Sequence, residues 1–310
     1  MTACAETERP DLLHRALPHV ALFFAVVFLG TSFVAARAIM ADHDGPATLG
    51  LARYVAGALT LLPFALTLSK WRIGPKALAL ALGLGMLQFG LFHLFVNTAL
   101  QQIPAARGAV IFALIPILTM LIAAAGGRDR LSWVMTAAAV LSFAGVALAV
   151  GEAAFRPAVG GHSFLGEALF FLAVCCGATY NAFSARLYQN HSLFAVSILT
   201  MSGGCLFLLP WSLSEGTAAV LATYRGDDWL WFAWLAVFGG AGSMGLFNYG
   251  LRRLSPTRAA IYVPLSPIAA TAAGAVLLGE TITPLFLVGL ACAVAGPLMV
   301  AYSRRREGRT

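Results

Sequence analysis

Charge is what this chain has least of. Asp, Glu, Lys and Arg make up 11% of its 310 residues, against 60% apolar. No Asp or Glu falls well inside a long apolar run, and Glu167 and Glu280 stand only at run ends. A soluble domain of this length needs far more polar surface, so a soluble fold is excluded. Cysteine is scarce too. Cys4, Cys175, Cys176, Cys205 and Cys292 show no metal-ligand spacing and mostly lie in apolar runs, which reads as packing rather than as a disulfide set or metal site. There is no H-E-x-x-H and no Walker A glycine-lysine motif, and the short connections leave no room for an ATP-binding domain, so the chain alone does not pump with ATP. The stretch AGSMG at 241–245 approaches G-x-S-x-G, but its first glycine is alanine and no strand precedes it, as a nucleophile elbow requires. No catalytic residue, cofactor or metal is expected, and the chain is not read as an enzyme.

What the chain has instead is length in apolar runs. A helix needs about 20 apolar residues to cross the ~30 Å hydrocarbon layer. Such runs recur ten times, near 19–40, 46–68, 76–98, 104–126, 131–150, 164–187, 192–213, 228–250, 256–278 and 284–303. The expectation is an all-α polytopic membrane protein with ten transmembrane helices. Residues 1–18 contain acids and a proline, and the run after them lacks a small-x-small exit, so the first run reads as a retained helix rather than a cleaved signal. The net charge of +7 would suggest nucleic acid in a soluble protein. Here its distribution explains it. With a cytoplasmic N-terminus, every Lys and Arg except Arg37, Arg53, Arg107, Arg156 and Arg225 falls inside, including the basic tail 304–310. The other side carries Asp42, Asp44, Glu152, Glu215, Asp227, Asp228 and Glu280. That is the positive-inside pattern, with both termini cytoplasmic and no nucleic-acid partner. The tryptophans lie near run ends, as an aromatic belt does.

The runs repeat. Residues 97–118 match 248–269 at Asn97/Asn248, Leu100/Leu251, Arg107/Arg258, Ala109/Ala260, Leu114/Leu265 and Pro116-Ile117/Pro267-Ile268, an offset of 151. The first run, from Ala21, echoes the one from Ala168, sharing Ala-Leu-Phe-Phe at an offset of 147. The chain therefore reads as two halves, 19–150 and 164–303, joined by a linker at 151–163. Five runs in each half is an odd number, so the second half enters the membrane from the opposite side. Inverted-topology repeats are the architecture of many secondary carriers, in which two halves rock around one central site.

Polar groups inside the runs are few enough to name. The third run has Met86, Phe89, Gly90, His93 and Asn97 at helical spacing, and its counterpart in the second half carries Gly240, Ala241, Met244 and Asn248 in a glycine-rich stretch. Pro116, Pro264 and Pro267 are expected to break the fourth and ninth helices and leave polar backbone facing the centre. Tyr262 and Ser266, four apart, share a face there. His93 relays a proton or sits neutral against Asn97 one turn away; both readings stand. Arg53, two turns into the second run, is expected to snorkel outward or to pair with Asp42 or Asp44.

Residues Leu251 through Ser255-Pro256-Thr257-Arg258-Ala259-Ala260 to Pro267, continuing to Leu278-Gly279-Glu280-Thr281-Ile282-Thr283, carry a family resemblance. The chain resembles the EamA branch of the drug/metabolite transporter superfamily over residues 19–303, although Asp129 stands in the first half where the second has Glu280. The resemblance implies ten helices in inverted repeats, a bacterial inner membrane, and export of amino acids, aromatic ones included, or related metabolites. It also implies a cavity lined by helices one, three, four, six, eight and nine. That places Thr31, Ser32, His93, Asn97, Thr179, Tyr180, Asn181, Asn248, Tyr262 and Ser266 near a small-molecule solute, with Phe89 offering apolar contact. A nucleotide-sugar or drug-like-cation carrier, a channel and a lipid-moving protein are the alternatives. Lipid is the other partner, and monomer and homodimer are equally compatible with this reading.

Overall fold

The computed structural model describes residues 9–69, 71–100, 105–127, 132–154, 164–278 and 284–307, and among these every regular element is a helix. In hydrocarbon a backbone must satisfy its own hydrogen bonds, which an uninterrupted helix does. Helix α1 is Arg9–Asp42, α2 Pro46–Leu68, α5 Trp133–Ala154, α6 Phe164–Asn190, α7 Leu193–Glu215 and α10 Pro284–Glu307. The other four are pieced. Helix α3 runs as Pro75–Gly85, a π-helical Met86–Leu91, then Phe92–Leu100. Helix α4 is Ala105–Phe112 followed by Ile115–Ala125. Helix α8 is Gly226–Trp234, a π-helical Leu235–Gly242 and Ser243–Arg253, and α9 is Pro256–Ala260 then Leu265–Leu278. A short helix, Thr217–Ala222, lies between α7 and α8.

Seven of these helices are long and apolar enough to cross a membrane, and α5 and α10 contain shorter apolar helices, Trp133–Leu148 and Leu287–Val300. Large apolar side chains face outward along them, including Leu59, Leu66 and Leu68 on α2 and Leu206 and Leu213 on α7. A surface so apolar belongs in lipid. The protein is membrane-embedded and multi-pass.

The packing crosses between halves. Helix α1 lies on α8 and α9, while α6 lies on α3 and α4; α2 packs on α7, and α5 on α10. The α3–α7 crossing is the tightest. A Cβ on Gly85 would collide with the Thr200 carbonyl, one on Gly203 with the Leu82 carbonyl, and one on Gly204 with Phe89. Backbone therefore meets backbone there, the close approach that small residues permit in membranes.

The interruptions fall at matching places. Phe92 N–H donates to the Leu87 carbonyl, and Ser243 N–H to that of Phe238, so each wide turn skips one residue, Gln88 or Gly239, at the same offset of 151. The gaps at 113–114 in α4 and 261–264 in α9 meet at that offset only at 113 and 264. Three expectations need correction. The third helix does not carry one even face, because the π turn rotates it: Met86 is exposed while Phe89 is buried. Nor do Pro116 and Pro267 cut their helices midway. Each sits in the first turn of the piece after the gap, where no N–H is needed. Pro264 lies in the gap itself, which is closed by tight i→i−3 bonds such as Tyr262 N–H to Ala259 and Ser266 N–H to Val263, so the regular four-residue face expected of Tyr262 and Ser266 does not form.

Candidate functional site

The site is built where α2 crosses α3 and the π-helical turn of α8. Arg53 does not snorkel. It lies seven residues from the start of α2, about 10 Å along the axis at 1.5 Å per residue, and is only 6% exposed. Its Nη2 donates to the Gly239 carbonyl at 2.7 Å and reaches Ser32 Oγ at 3.4 Å. The wide turn explains the acceptor: Ser243 N–H, the ordinary helical donor to Gly239, goes to Phe238 and Gly240 instead, and the Gly239 carbonyl takes Arg53 together with the Ser243 hydroxyl. Gly239 is needed for this approach, since a Cβ there would strike Ser32. Among the described residues Arg53 has no carboxylate partner, and its Nε is buried without an acceptor. An uncompensated interior ion costs several kcal/mol.

Beside it, Tyr54 Oη lies 2.6 Å from His93 Nε2, joining α2 to α3. The Arg53 guanidinium carbon is 5.3 Å from the Tyr54 ring centre, within cation–π range. Tyr54, Phe89 and Tyr180 then form an edge-to-face chain at 4.9 and 5.8 Å between centroids. A cavity of ≈ 70 Å³ reaches from His93, past Leu94 and Thr98, to Trp211 and Glu215. At its far end the Glu215 carboxylate caps α2, accepting from Ala47 N–H, Thr48 N–H and the Thr48 hydroxyl at 2.7 to 3.0 Å, where an anion also suits the helix dipole. Next to this end His43 Nε2 meets Asp228 at 2.9 Å across an open basin of ≈ 720 Å³.

Of the residues singled out in the sequence, Ser32, Phe89 and His93 come together here. Asn248 and Tyr180 join a buried hydrogen-bond network that meets the site through the Tyr180 ring. The Asn248 amide donates to Tyr188 Oη at 2.8 Å and to Ser197 Oγ at 3.3 Å, Tyr180 and Tyr188 hydroxyls are 2.9 Å apart, and Tyr188 lies 3.4 Å from Thr200. Thr31 accepts from the Trp234 indole at 3.3 Å. Thr179 and Ser266 bond the Cys175 and Val263 carbonyls of their own helices. Tyr262 meets His19 at 2.7 Å, and Asn181 is buried on α6. The side chain of Asn97 lies outside the described residues, as do Cys4, Asp129 and Glu280. His93 is held by Tyr54. Tyr54 itself went unremarked in the sequence because nothing in an apolar run marks one tyrosine as facing inward. The signal for Arg53 is legible as a lone cation two turns into a run; whether it turns outward or inward is decided by the packing of α8.

Pieced helices crossing between two halves, with polar side chains buried at the crossing, define a membrane transporter. The chain belongs to the EamA-like transporter family, which matches residues 17–151 and again 164–302. It is 27% identical over 94% of its length to a probable terminal-alkyne amino-acid exporter of Streptantibioticus cattleyicolor, covering 96% of that protein. It is 23% identical to the uncharacterized inner membrane transporter YedA of Escherichia coli, covering 92% and 90% of the two chains, and 23% identical to an uncharacterized transporter of Archaeoglobus fulgidus, covering 92% and 99%. A crystal structure of a protein 18% identical to it superposes with a TM-score of 0.74 over 93% of this chain and 98% of the other.

Proposed function

We propose that this transporter is a secondary carrier exporting amino acids or related small metabolites by alternating access, from a bacterial inner membrane with both termini in the cytoplasm. The observation that carries the reading is the cluster of buried Ser32, Arg53 and Tyr54 with half-buried His93, set where helices of the two halves cross. A polar site enclosed at such a crossing suits a solute that is bound, occluded and released as the halves rock. The amino-acid exporter among its relatives supports the solute class. In this reading the His43–Asp228 end faces outward, and the narrow His93 cavity beneath it is a closed outer path.

Counterflow tests it. Liposomes holding the purified protein and unlabelled amino acids are expected to take up labelled threonine, methionine or phenylalanine in a saturable, trans-stimulated manner. Uptake that neither saturates nor responds to the trans solute makes the protein a channel. No uptake by correctly folded protein moves the substrate to other metabolites or to lipid.

A further inference from the structure

We infer that Arg53 is the anchor for a carboxylate on the transported solute, which makes the substrate class one of small carboxylic acids. The inference rests on the carrier reading and adds to it the group that is recognised. Arg53 is 6% exposed, and among the described residues no acid compensates it. A guanidinium presents parallel N–H groups that match the two oxygens of a carboxylate. Nε and Nη2 form one such fork. Here Nη2 is engaged by the Gly239 carbonyl and, at longer range, by Ser32, while Nε is buried with nothing to donate to. One prong is thus held in place by backbone while the other is idle. That leaves Nε as the donor held in position for an anion, with Nη2 beside it already fixed by protein.

The surroundings fit. Ser32, whose hydroxyl donates to the Leu29 carbonyl, steadies Nη2 as an acceptor, Tyr54 flanks the guanidinium with a ring, and Gly239 leaves room for the close approach of α8. The equivalent place in the other half does not repeat the feature. At the offset of 147 that also aligns Gly57 with Gly204 and Pro63 with Pro210, Arg53 falls on Thr200, whose hydroxyl is spent on the Ser197 carbonyl and the Tyr188 hydroxyl. A cation required only to hold the two halves together has no reason to occur in one of them, where a hydroxyl closes the same position in the other.

Thermal unfolding of the purified full chain, measured with added ligand, tests this independently of transport. The probes are threonine, methionine and phenylalanine, the carboxamide of each, and acetate and pyruvate. For wild type at least one amino acid is expected to raise the unfolding midpoint, and its carboxamide, which keeps the ammonium and lacks the carboxylate, to need about tenfold or more higher concentration, the scale of one charge-assisted hydrogen bond. In Arg53→Gln that acid loses about ten- to a hundredfold in half-saturating concentration and no longer differs from its amide. Arg53→Lys, which keeps the charge and loses the fork, lies between. The inference is overturned by an amide as potent as its acid in wild type, by Arg53→Gln that still prefers the acid, or by a wild type that binds no carboxylate of the panel. If Arg53→Gln does not fold, the acid-to-amide comparison in wild type and Arg53→Lys decides. Counterflow in the same preparations separates the two readings. Acid binding without exchange removes the carrier and keeps the anion site; exchange indifferent to Arg53 does the reverse.

Discussion

Tyr54 and Asn248 show how differently two buried polar residues serve the same protein. The Tyr54 hydroxyl is a side-chain partner of the His93 imidazole, which also bonds the Gln88 backbone. Tyr54→Phe removes the side-chain partner of that ring, which keeps its bond to the Gln88 backbone, and is expected to cost about 1–3 kcal/mol, read as a lower denaturation midpoint, with weakened exchange as well because the ring borders Arg53. Asn248 is fully buried among Tyr180, Tyr188 and Ser197. Asn248→Leu should lower stability by about 2 kcal/mol while the protein that survives keeps its half-saturating solute concentration. A rise in that concentration with unchanged stability would put Asn248 at the solute instead. The identity of Asn97 and Asn248 was legible as a repeat, yet its meaning was not. Sequence shows that an amide is kept inside an apolar run, but the hydroxyls around Asn248 come from α6 and α7, helices whose facing residues only packing decides.

At the scale of the element, the two π-helical turns were hidden. Periodicity is read against 3.6 residues per turn, and a single widened turn shifts it by one residue over a stretch too short to register. In α8 the stretch is also Gly239, Gly240 and Gly242 with Ala241, so there are no side chains to show a pattern. The gaps in α4 and α9 could be read from proline, and they fall in the turn just before Pro116 and Pro267, where each proline lacks the N–H that would bond one turn back. Gly239→Val tests the α8 turn. Its side chain would meet Ser32 and the Arg53 guanidinium, so overpacking of about 1–3 kcal/mol and loss of exchange are expected from protein that still purifies as a single species. Gly245, on the same helix, has nothing within 4 Å of an added Cβ. Gly245→Ala should be silent or stabilising by up to ~1 kcal/mol. If both variants exchange alike, the turn has no part in transport.

For the whole molecule, the bonds that join the halves at one end set what the proposed rocking must break. Glu215 on α7 holds the start of α2, and Asp228 on α8 holds His43 after α1. Glu215→Ala removes three acceptor contacts and should loosen that end. With a cysteine introduced at Thr98, which lines the narrow cavity, labelling by a membrane-impermeant thiol reagent is expected to rise several-fold over the same substitution with Glu215 intact. Unchanged labelling would mean that these bonds do not close the path. Duplication was the most legible property of the chain, because identity at fixed offsets needs no knowledge of packing; which helix of one half lies on which of the other was beyond it.

The family unit occurs twice in one polypeptide, and position 53 differs from its counterpart at 200. An assembly of two separate, identical subunits must carry any central charge in even number, with like guanidinium groups opposed in a low-dielectric interior, or carry none. Covalent fusion lifts that parity rule. One copy is free to gain a lone cation while the other keeps a neutral hydroxyl, so an odd electrostatic centre is something that only the fused gene can encode.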